Sequence, residues 1–594
     1  MFWLVLFGCV FTVCTSVLTT DRYFSFKMHK NTFPFVLLIL TLNMMLLLGT
    51  DFLLPFDVFQ ASAVGSNGHT NKPLNETTVQ ELSHLRKRSN NVRFFEIIWP
   101  LIYWLQFAFC WFLIPVGISY ISLKYALPRD DRRERFIKSI LQNVKFYSLC
   151  LLGIIIGSLY LIMSTGHNLL EFKSLIITLS HLYSLSYTLI LLSTGLIILP
   201  RDLINSVKVP SAISNNKLFV VLSKTNDDVN DSQLNLVDNA DLILSSNELN
   251  NGDVTFNQLL NECKIEIESK LDDLKISTAN RVSTELPKPI TNLRKLNSTY
   301  NKFINHYYNY IYYQNHSNSI IHTLAQTQSN SINNLKKIAV FIIGLIATIL
   351  SFLIIICEIL PKKMNFLDKW LFHNGDNYYN FLIIFTILSY NTISSLYAMS
   401  KFKFNNFHLI SNGNSNPSNV FYYSLYSSRL LFPLCFNLIT LLPNNQKRST
   451  FQIILFDRLN VIPLVKFLNN YLPMIFMVLI PLSYRFDLKQ KILLNILGEE
   501  FYYQFFGMML YDPLNEPTST NAEPAVDAVT EGRYNMNEDY EYSLQDGKYL
   551  FERASTQFNL NVPGKNIPLN ETPLNIYNDA NPSRNTSTNN LTYL

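Results

Sequence analysis

Between Phe33 and Pro55 the chain reads FPFVLLILTLNMMLLLGTDFLLP, with Asp51 as its one charged residue. A helix of that length spans a hydrocarbon core of roughly 30 Å, and a helix apolar on every side needs lipid or a bundle interior around it. Comparable runs recur down the chain. Run length predicts nine spans, at about 1–20, 33–55, 95–125, 146–164, 174–199, 338–360, 378–399, 420–442 and 467–484. The expected fold class is therefore all-α, a polytopic transmembrane helix bundle. Residues 1–20 lack a basic start and an A-x-A-like cleavage site, so they are read as a retained first helix and not as a signal peptide. The stretch FQIILFDRLNVIPL at 451–464 is read as dipping into the membrane without crossing it. Span three carries Trp99, Pro100, Trp104, Trp111 and Pro115: tryptophans suited to interfacial anchoring and prolines that permit a kink.

Two polar regions interrupt this pattern. In the insert 201–336, Leu260, Cys263, Ile267, Leu271 and Leu274 step by three and four, as do Leu293, Leu296, Tyr300, Phe303, Tyr307 and Tyr310. Alternation of that kind marks a seam between helices, and Leu286-Pro287-Lys288-Pro289 breaks the chain between the two stripes. The expected structure is a coiled-coil-like helical hairpin that packs on itself in preference to a partner, joined by a third helix at 233–248. The tail begins with an apolar, aromatic stretch, KILLNILGEEFYYQFFGMML, suited to an interfacial helix. Beyond it, acidic residues with Asn, Thr and Pro predict disorder. The expected division is 1–200 (spans one to five), 201–336 (cytosolic insert), 337–486 (spans six to nine) and 487–594 (interfacial helix and disordered tail).

Composition sharpens this picture in places. Only 15% of the residues are charged and the net charge is +5, so no dense basic face exists and nucleic acid is not expected as a partner. Arg129, Arg132, Arg133, Arg135, Lys138 and Lys145 mark 127–145 as cytosolic, which puts the N-terminus outside and the C-terminus in the cytosol. Lys72, Arg86, Lys87, Arg88 and Arg93 in the loop 60–93 run against that assignment. Asn75-Glu76-Thr77 in the same loop is a glycosylation acceptor triplet, although in so Asn-rich a chain chance explains any one such triplet. The seven cysteines show no paired spacing and predict neither disulfides nor a metal site.

No nucleotide-binding, metalloprotease or hydrolase signature is present, so no catalytic residue and no cofactor is expected. Ionisable residues within the spans carry more information, because each costs about 2.5–3.5 kcal/mol facing lipid. They are Asp51, Asp57 just past the second span, Glu96, Glu358 and Arg429. Arg429 needs protein, water or a counter-charge, and Asp51 or Glu358 are the expected partners. One reading is a polar route through the bundle. The other, preferred because one arginine and a few carboxylates do not make a relay, is a set of buried polar locks. A lone His181 is read as a hydrogen-bonded interior residue. The segment LLFPLCFN, with Pro433 four residues after Arg429, hints at a discontinuous helix of the kind transporters use.

Several stretches, in order, resemble the limb-region (LMBR-like) multi-pass membrane proteins. They are DRYFSFKMHKNTFPFVLLI followed by the turn Leu54-Pro55-Phe56-Asp57-Val58, the Trp- and Pro-containing third span, LLSTGLIILPRDL with Gly195, Leu196, Pro200 and Arg201, and SSRLLFPLCFNLI with Arg429, Pro433, Leu434, Cys435 and Asn437. The match covers roughly residues 1–500. Motif order and the long insert look closest to the LMBR-domain-containing subgroup (second type), and the Asn-rich composition suggests a fungal source. Ser193-Thr194 stand where that family has a further glycine, which predicts looser helix packing near Gly195. The resemblance implies nine membrane helices, an external N-terminus, a cytosolic insert and no catalytic residues. Its members resemble lipocalin-binding receptors, a lysosomal vitamin B12 export partner and regulators of receptor signalling and trafficking. The expectation is a non-enzymatic membrane receptor or scaffold that meets protein partners through insert and tail. The alternative is a transporter, or transport subunit, for a small organic or lipid-like ligand, with Arg429 and the membrane carboxylates lining the route.

Overall fold

The computed structural model describes residues 2–26, 29, 34–66, 79–127, 132–165, 169–207, 212–246, 254–276, 290, 292–328, 334–360, 377–401, 407–410, 412–442, 449–456, 463–485 and 536–558. Asn75, the segment 486–535 and the Leu286–Pro289 breaker lie outside them. Among the described residues the secondary structure is helical, apart from an isolated antiparallel bridge between Phe24 and Asn414. Seven stretches of the described residues are long and apolar enough to cross a bilayer: Phe35–Ala61, Arg93–Ser122, Arg132–Gly157, Thr178–Asn205, Lys337–Ile359, Tyr378–Lys401 and Pro463–Ser483. The two further spans expected from run length correspond to helix α1, Phe2–Tyr23, and to a region that is not one helix.

That region is broken at Arg429 and Leu430, which separate α12, Pro417–Ser428, from α13, Leu431–Leu441. The cause lies four residues on. Pro433 has no N–H to give the carbonyl of Arg429, and its ring crowds that carbonyl. The π turn in span three has the same origin. There, α3, Val79–Ala108, passes through a π turn at Phe109–Leu113 into α4, Ile114–Ser122. Pro115 leaves the Trp111 carbonyl without its helical partner, and the Tyr147 hydroxyl from α5, Arg132–Thr165, donates to it instead. Pro200 does not end its helix: α6 runs from Leu169 to Asn205 with the proline inside.

The chain divides into two compact units. The first takes Met1–Ser122, Arg132–Val207 and Ile338–Leu510. Besides the helices above it holds α2, Pro34–Ser66, with α10, Asn334–Ile359, α11, Asn377–Lys401, and α14, Pro463–Arg485. Its core joins Leu54, Trp99, Leu189, Leu192, Leu388, Leu430 and Phe451, all at 0% exposure. Its outside is equally apolar, with Leu149 and Phe352 each 67% exposed. A surface of this kind requires hydrocarbon as its solvent. The loosening predicted at Gly195 does not occur. A Cβ there would lie 2.0 Å from the Ser394 carbonyl oxygen, so α6 and α11 approach backbone to backbone. Ser193 turns its hydroxyl back onto the Leu189 carbonyl of its own helix and leaves that approach clear.

The second unit takes Leu123–Asp131, Lys208–Lys337 and Tyr511–Leu594. Both stripes read from the sequence are buried from Leu260 to Leu274 and from Leu296 to Tyr310, on α8, Val254–Asp273, its capping turn, and α9, Leu293–Gln328. The main partner of α9 is nevertheless α7, Ala212–Leu244, far longer than the helix expected at 233–248. Polar residues at Asp227, Asp228, Asn230 and Asp231 interrupt its apolar pattern and mask its length in the sequence. The tail is not wholly unstructured either: α15, Met536–Phe558, packs on α7. Gly547, Phe551 and Ala554 form its buried stripe, and a Cβ at Gly547 would meet the Phe219 carbonyl at 1.9 Å.

A charged knot sits inside this unit. Glu266 accepts from Lys124 Nζ at 2.7 Å, from the Tyr125 hydroxyl at 2.5 Å and from the Tyr300 hydroxyl at 2.7 Å. Burial by itself raises the Glu266 carboxyl, but the Lys124 charge and these three donors together hold it below the ordinary carboxylate value. A depressed carboxylate stabilises the fold above its unfolded pKa, and that stability fades as pH falls through the lower folded value. Thermal unfolding of the detergent-solubilised chain is therefore expected to show Glu266→Gln less stable than wild type at pH 7. The gap should close as pH drops below about 4.3, the ordinary value for glutamate. A gap that stayed constant with pH would contradict this account of the knot.

Candidate functional site

The membrane carboxylates and Arg429 do not gather in one place. Asp57, 2% exposed, accepts from the Trp99 indole N–H at 3.0 Å and from the backbone amides of Thr450 at 3.1 Å and Phe451 at 2.8 Å. Asp57 therefore holds the entry of the short π turn Gln452–Phe456 against α2 and α3, and Phe451 packs edge-on to the Trp99 ring. Trp99 is thus a core residue and no interfacial anchor; its N–H found a carboxylate partner. The segment 451–464, read as dipping into the membrane, begins as this buried fastener. Glu358 accepts from the Asn437 side-chain amide, which ties α10 to α13. Glu96 is exposed on α3.

The expected ion pair of Arg429 is absent: neither Asp51 nor Glu358 meets it. Its guanidinium donates to the Tyr183 hydroxyl at 2.8 Å and lies 5.7 Å from the Tyr183 ring centre and 5.4 Å from that of Tyr426. Aromatic faces attract cations through their quadrupole; Tyr183 and Tyr426 are both exposed, and hydropathy gives no sign that they will flank the arginine. The helix break presents Arg429 to those rings. His181 is interior and shares a hydrogen bond with Asn469 at 2.7 Å, as read. Gly195, Pro200, Pro55 and Pro433 are buried, and Arg201 is half-buried at the end of α6. Beside it, Asp202 accepts from the Tyr397 hydroxyl at 2.6 Å and from Lys401 at 3.2 Å.

Asp51 stands apart from these locks, in the wall of a cavity of about 320 Å³ in the first unit. One face of each of four helices builds it. Leu40, Met44, Leu48 and Asp51 come from α2, and Phe11, Thr15, Thr19 and Arg22 from α1. Ser389, Ile393, Leu396 and Ser400 come from α11, and Val420, Tyr423, Ser424 and Ser427 from α12. Each set repeats at three or four residues, the spacing of one helix face. At 1.5 Å per residue, Leu40 and Asp51 are roughly 16 Å apart along α2. The antiparallel course of the helices puts Arg22, Ser400 and Val420 at one end and Asp51, Phe11 and Ser389 at the other. Both α1 and α11 pack on α2, and they touch each other where Phe11 meets Phe385 edge-on, ring centres 6.0 Å apart. Phe11 and Ile393, which line the cavity from those two helices, remain 39% and 52% exposed. The cavity is thus flanked on its α1 and α11 sides by side chains that reach the outer surface of the first unit.

Asp51 is 5% exposed and receives one hydrogen bond, from the Thr392 hydroxyl at 2.8 Å. Pro55, four residues on, cannot donate to its backbone carbonyl. The hydroxyls on the α1 wall are occupied within their own helix: Thr15 donates to the Phe11 carbonyl at 2.7 Å and Thr19 to that of Thr15 at 2.9 Å. Sequence reasoning singled out Asp51 but missed the rest of this cavity. The recurring Thr and Ser in α1 was the available signal.

A family model described as LMBR1-like membrane protein matches residues 1–486. No curated protein and no solved structure shows a significant match to the chain.

The Asp57 contacts give a direct stability test. Asp57→Ala removes the acceptor of three buried donors, and each orphaned donor costs about 1–3 kcal/mol. Thermal unfolding in detergent should show a large fall in midpoint for Asp57→Ala and a smaller one for Asp57→Asn, which keeps one acceptor oxygen. Equal midpoints for wild type and Asp57→Ala would contradict the assigned role.

Proposed function

The chain belongs to the LMBR1-like membrane protein family, and from that premise we propose that it is a non-enzymatic integral-membrane receptor whose helix bundle binds a small amphiphile. The observation that carries this reading is the cavity beside Asp51, apolar along its walls and polar at both ends, with exposed residues of α1 and α11 on one side. Its volume of about 320 Å³ falls at the lower end of the 300–1,000 Å³ common for small-molecule sites. The ligand reaches it from the bilayer, between α1 and α11. In this reading the N-terminus is external. The second unit and the C-terminus are cytosolic and meet trafficking or signalling proteins.

A second reading, transport of such a ligand, draws on the broken helix α12–α13. Interrupted helices near the middle of a membrane expose backbone groups and let half-helices move, a recurring arrangement in transporters. Arg429 at the break would then line the route.

The two readings separate by experiment. Amphiphiles that co-purify with wild type from native membranes should be missing from Leu48→Trp, which fills the cavity, when both are extracted and compared by mass spectrometry. An identical complement in the two proteins would overturn the receptor reading. Transport predicts that the recovered compound crosses proteoliposome membranes with wild type and stalls with Arg429→Leu. Binding without movement leaves the receptor.

A further inference from the structure

The deep end of the cavity is short of donors. Asp51 has one hydrogen bond for its whole carboxylate, and Thr392 supplies it. Pro55 leaves the backbone carbonyl of the same residue without its helical partner. One turn before Thr392, Ser389 lines the same cavity, and its buried hydroxyl has no partner. The formal positive charge among the lining residues is Arg22, at the opposite end. No described cation pairs with Asp51, and Arg429 is engaged with tyrosines elsewhere.

From this geometry we infer that the cavity selects a ligand bearing a protonated amine on an apolar body, with the ammonium seated between Asp51 and Ser389. The inference rests on the receptor reading above and names its ligand class. Charge decides it. A carboxylate enclosed by apolar walls is costly unless a counter-charge reaches it. An ammonium supplies both the charge and the donors that the Asp51 carboxylate and the Ser389 oxygen lack. An ammonium is the head group that pairs with Asp51 in its ionised form, whereas an anionic head would be repelled by it. The apolar side chains of Leu48, Ile393 and Met44 then take the ligand's hydrocarbon.

The test uses the full chain in phosphatidylcholine nanodiscs with three probes of one chain length: dodecylamine, dodecanol and dodecanoate. Saturable binding is counted above that of the cavity-filled Leu48→Trp protein, which subtracts partition into the bilayer. Dodecylamine should bind wild type saturably and Asp51→Asn about a hundredfold more weakly, since a buried charge partner is lost. Dodecanol and dodecanoate should show no saturable binding. Should Asp51→Asn fail to fold, Ser389→Lys supplies an internal ammonium beside Asp51 and should abolish amine binding. Dodecanol or dodecanoate binding as tightly as the amine would overturn the inference and leave the receptor reading standing, as would amine binding unaffected by Asp51→Asn or by Ser389→Lys. If none of the three probes bound saturably to wild type, the inference and the receptor reading would both fall.

Discussion

Hydrocarbon offers no hydrogen bonds, so each polar group carried into the bilayer must find its partner inside the protein. That constraint explains most of the first unit. Prolines in α2, α3, α6 and α14 and at the two breaks each deprive a carbonyl of its helical donor. The response is visible where Tyr147 takes up the Trp111 carbonyl. The same demand turns buried side chains into fasteners between distant parts of the chain. Asp57 collects the Trp99 indole and two amides, Glu358 takes the Asn437 amide, and Asn43 donates to the carbonyl and hydroxyl of Ser424. Helix association in lipid lacks the ordinary hydrophobic drive, and such polar contacts, with close approaches like Gly195 against Ser394, take its place.

Against that background the surroundings of Asp51 are the exception. Asp57 gathers three donors and Glu358 takes the Asn437 amide, whereas Asp51 has one hydroxyl and lines a cavity. Asn391 and Ser395 on α11 also keep buried polar atoms without a hydrogen-bond partner, so what sets Asp51 apart is its carboxyl group and its place in the cavity wall. A charge held there costs stability, and proteins keep such costs where they bind something. Strong locks at Asp57 and Glu358 hold the surrounding helices in place without drawing on the cavity residues. The helix break at Arg429 lies at the end of α12, one of the four walls, so movement there would change the cavity's shape.

Much of this architecture was legible in the sequence. Span lengths follow from the thickness of hydrocarbon, and the break at Pro433 and the π turn before Pro115 follow from a missing N–H. The buried stripes on α8 and α9 were read correctly from their three-four spacing. Pair identities were not legible. Arg429 invited a carboxylate partner, yet rings from α6 and its own helix took it, because a linear pattern carries charge but no orientation. Trp99 read as an anchor because its burial depends on Asp57 and Phe451, the latter more than three hundred residues away in the chain. The tail helix α15 escaped because its buried stripe rests on Gly547 and Ala554, residues too small to register as hydrophobic. The cavity needed four helix faces at once, which only the fold assembles.

The central claim is that a lipid-accessible cavity lies inside the bundle beside Asp51. It is tested most directly by a nitroxide attached at Met44→Cys in the reconstituted protein, with its collision rates measured against dissolved oxygen and against a water-soluble relaxing agent. High accessibility to oxygen with little to the aqueous reagent is the result expected of an apolar cavity that opens to the bilayer. A label that neither reagent reaches would mean a packed interior, and one that the aqueous reagent reaches freely would mean a water-filled channel; either result would contradict the account.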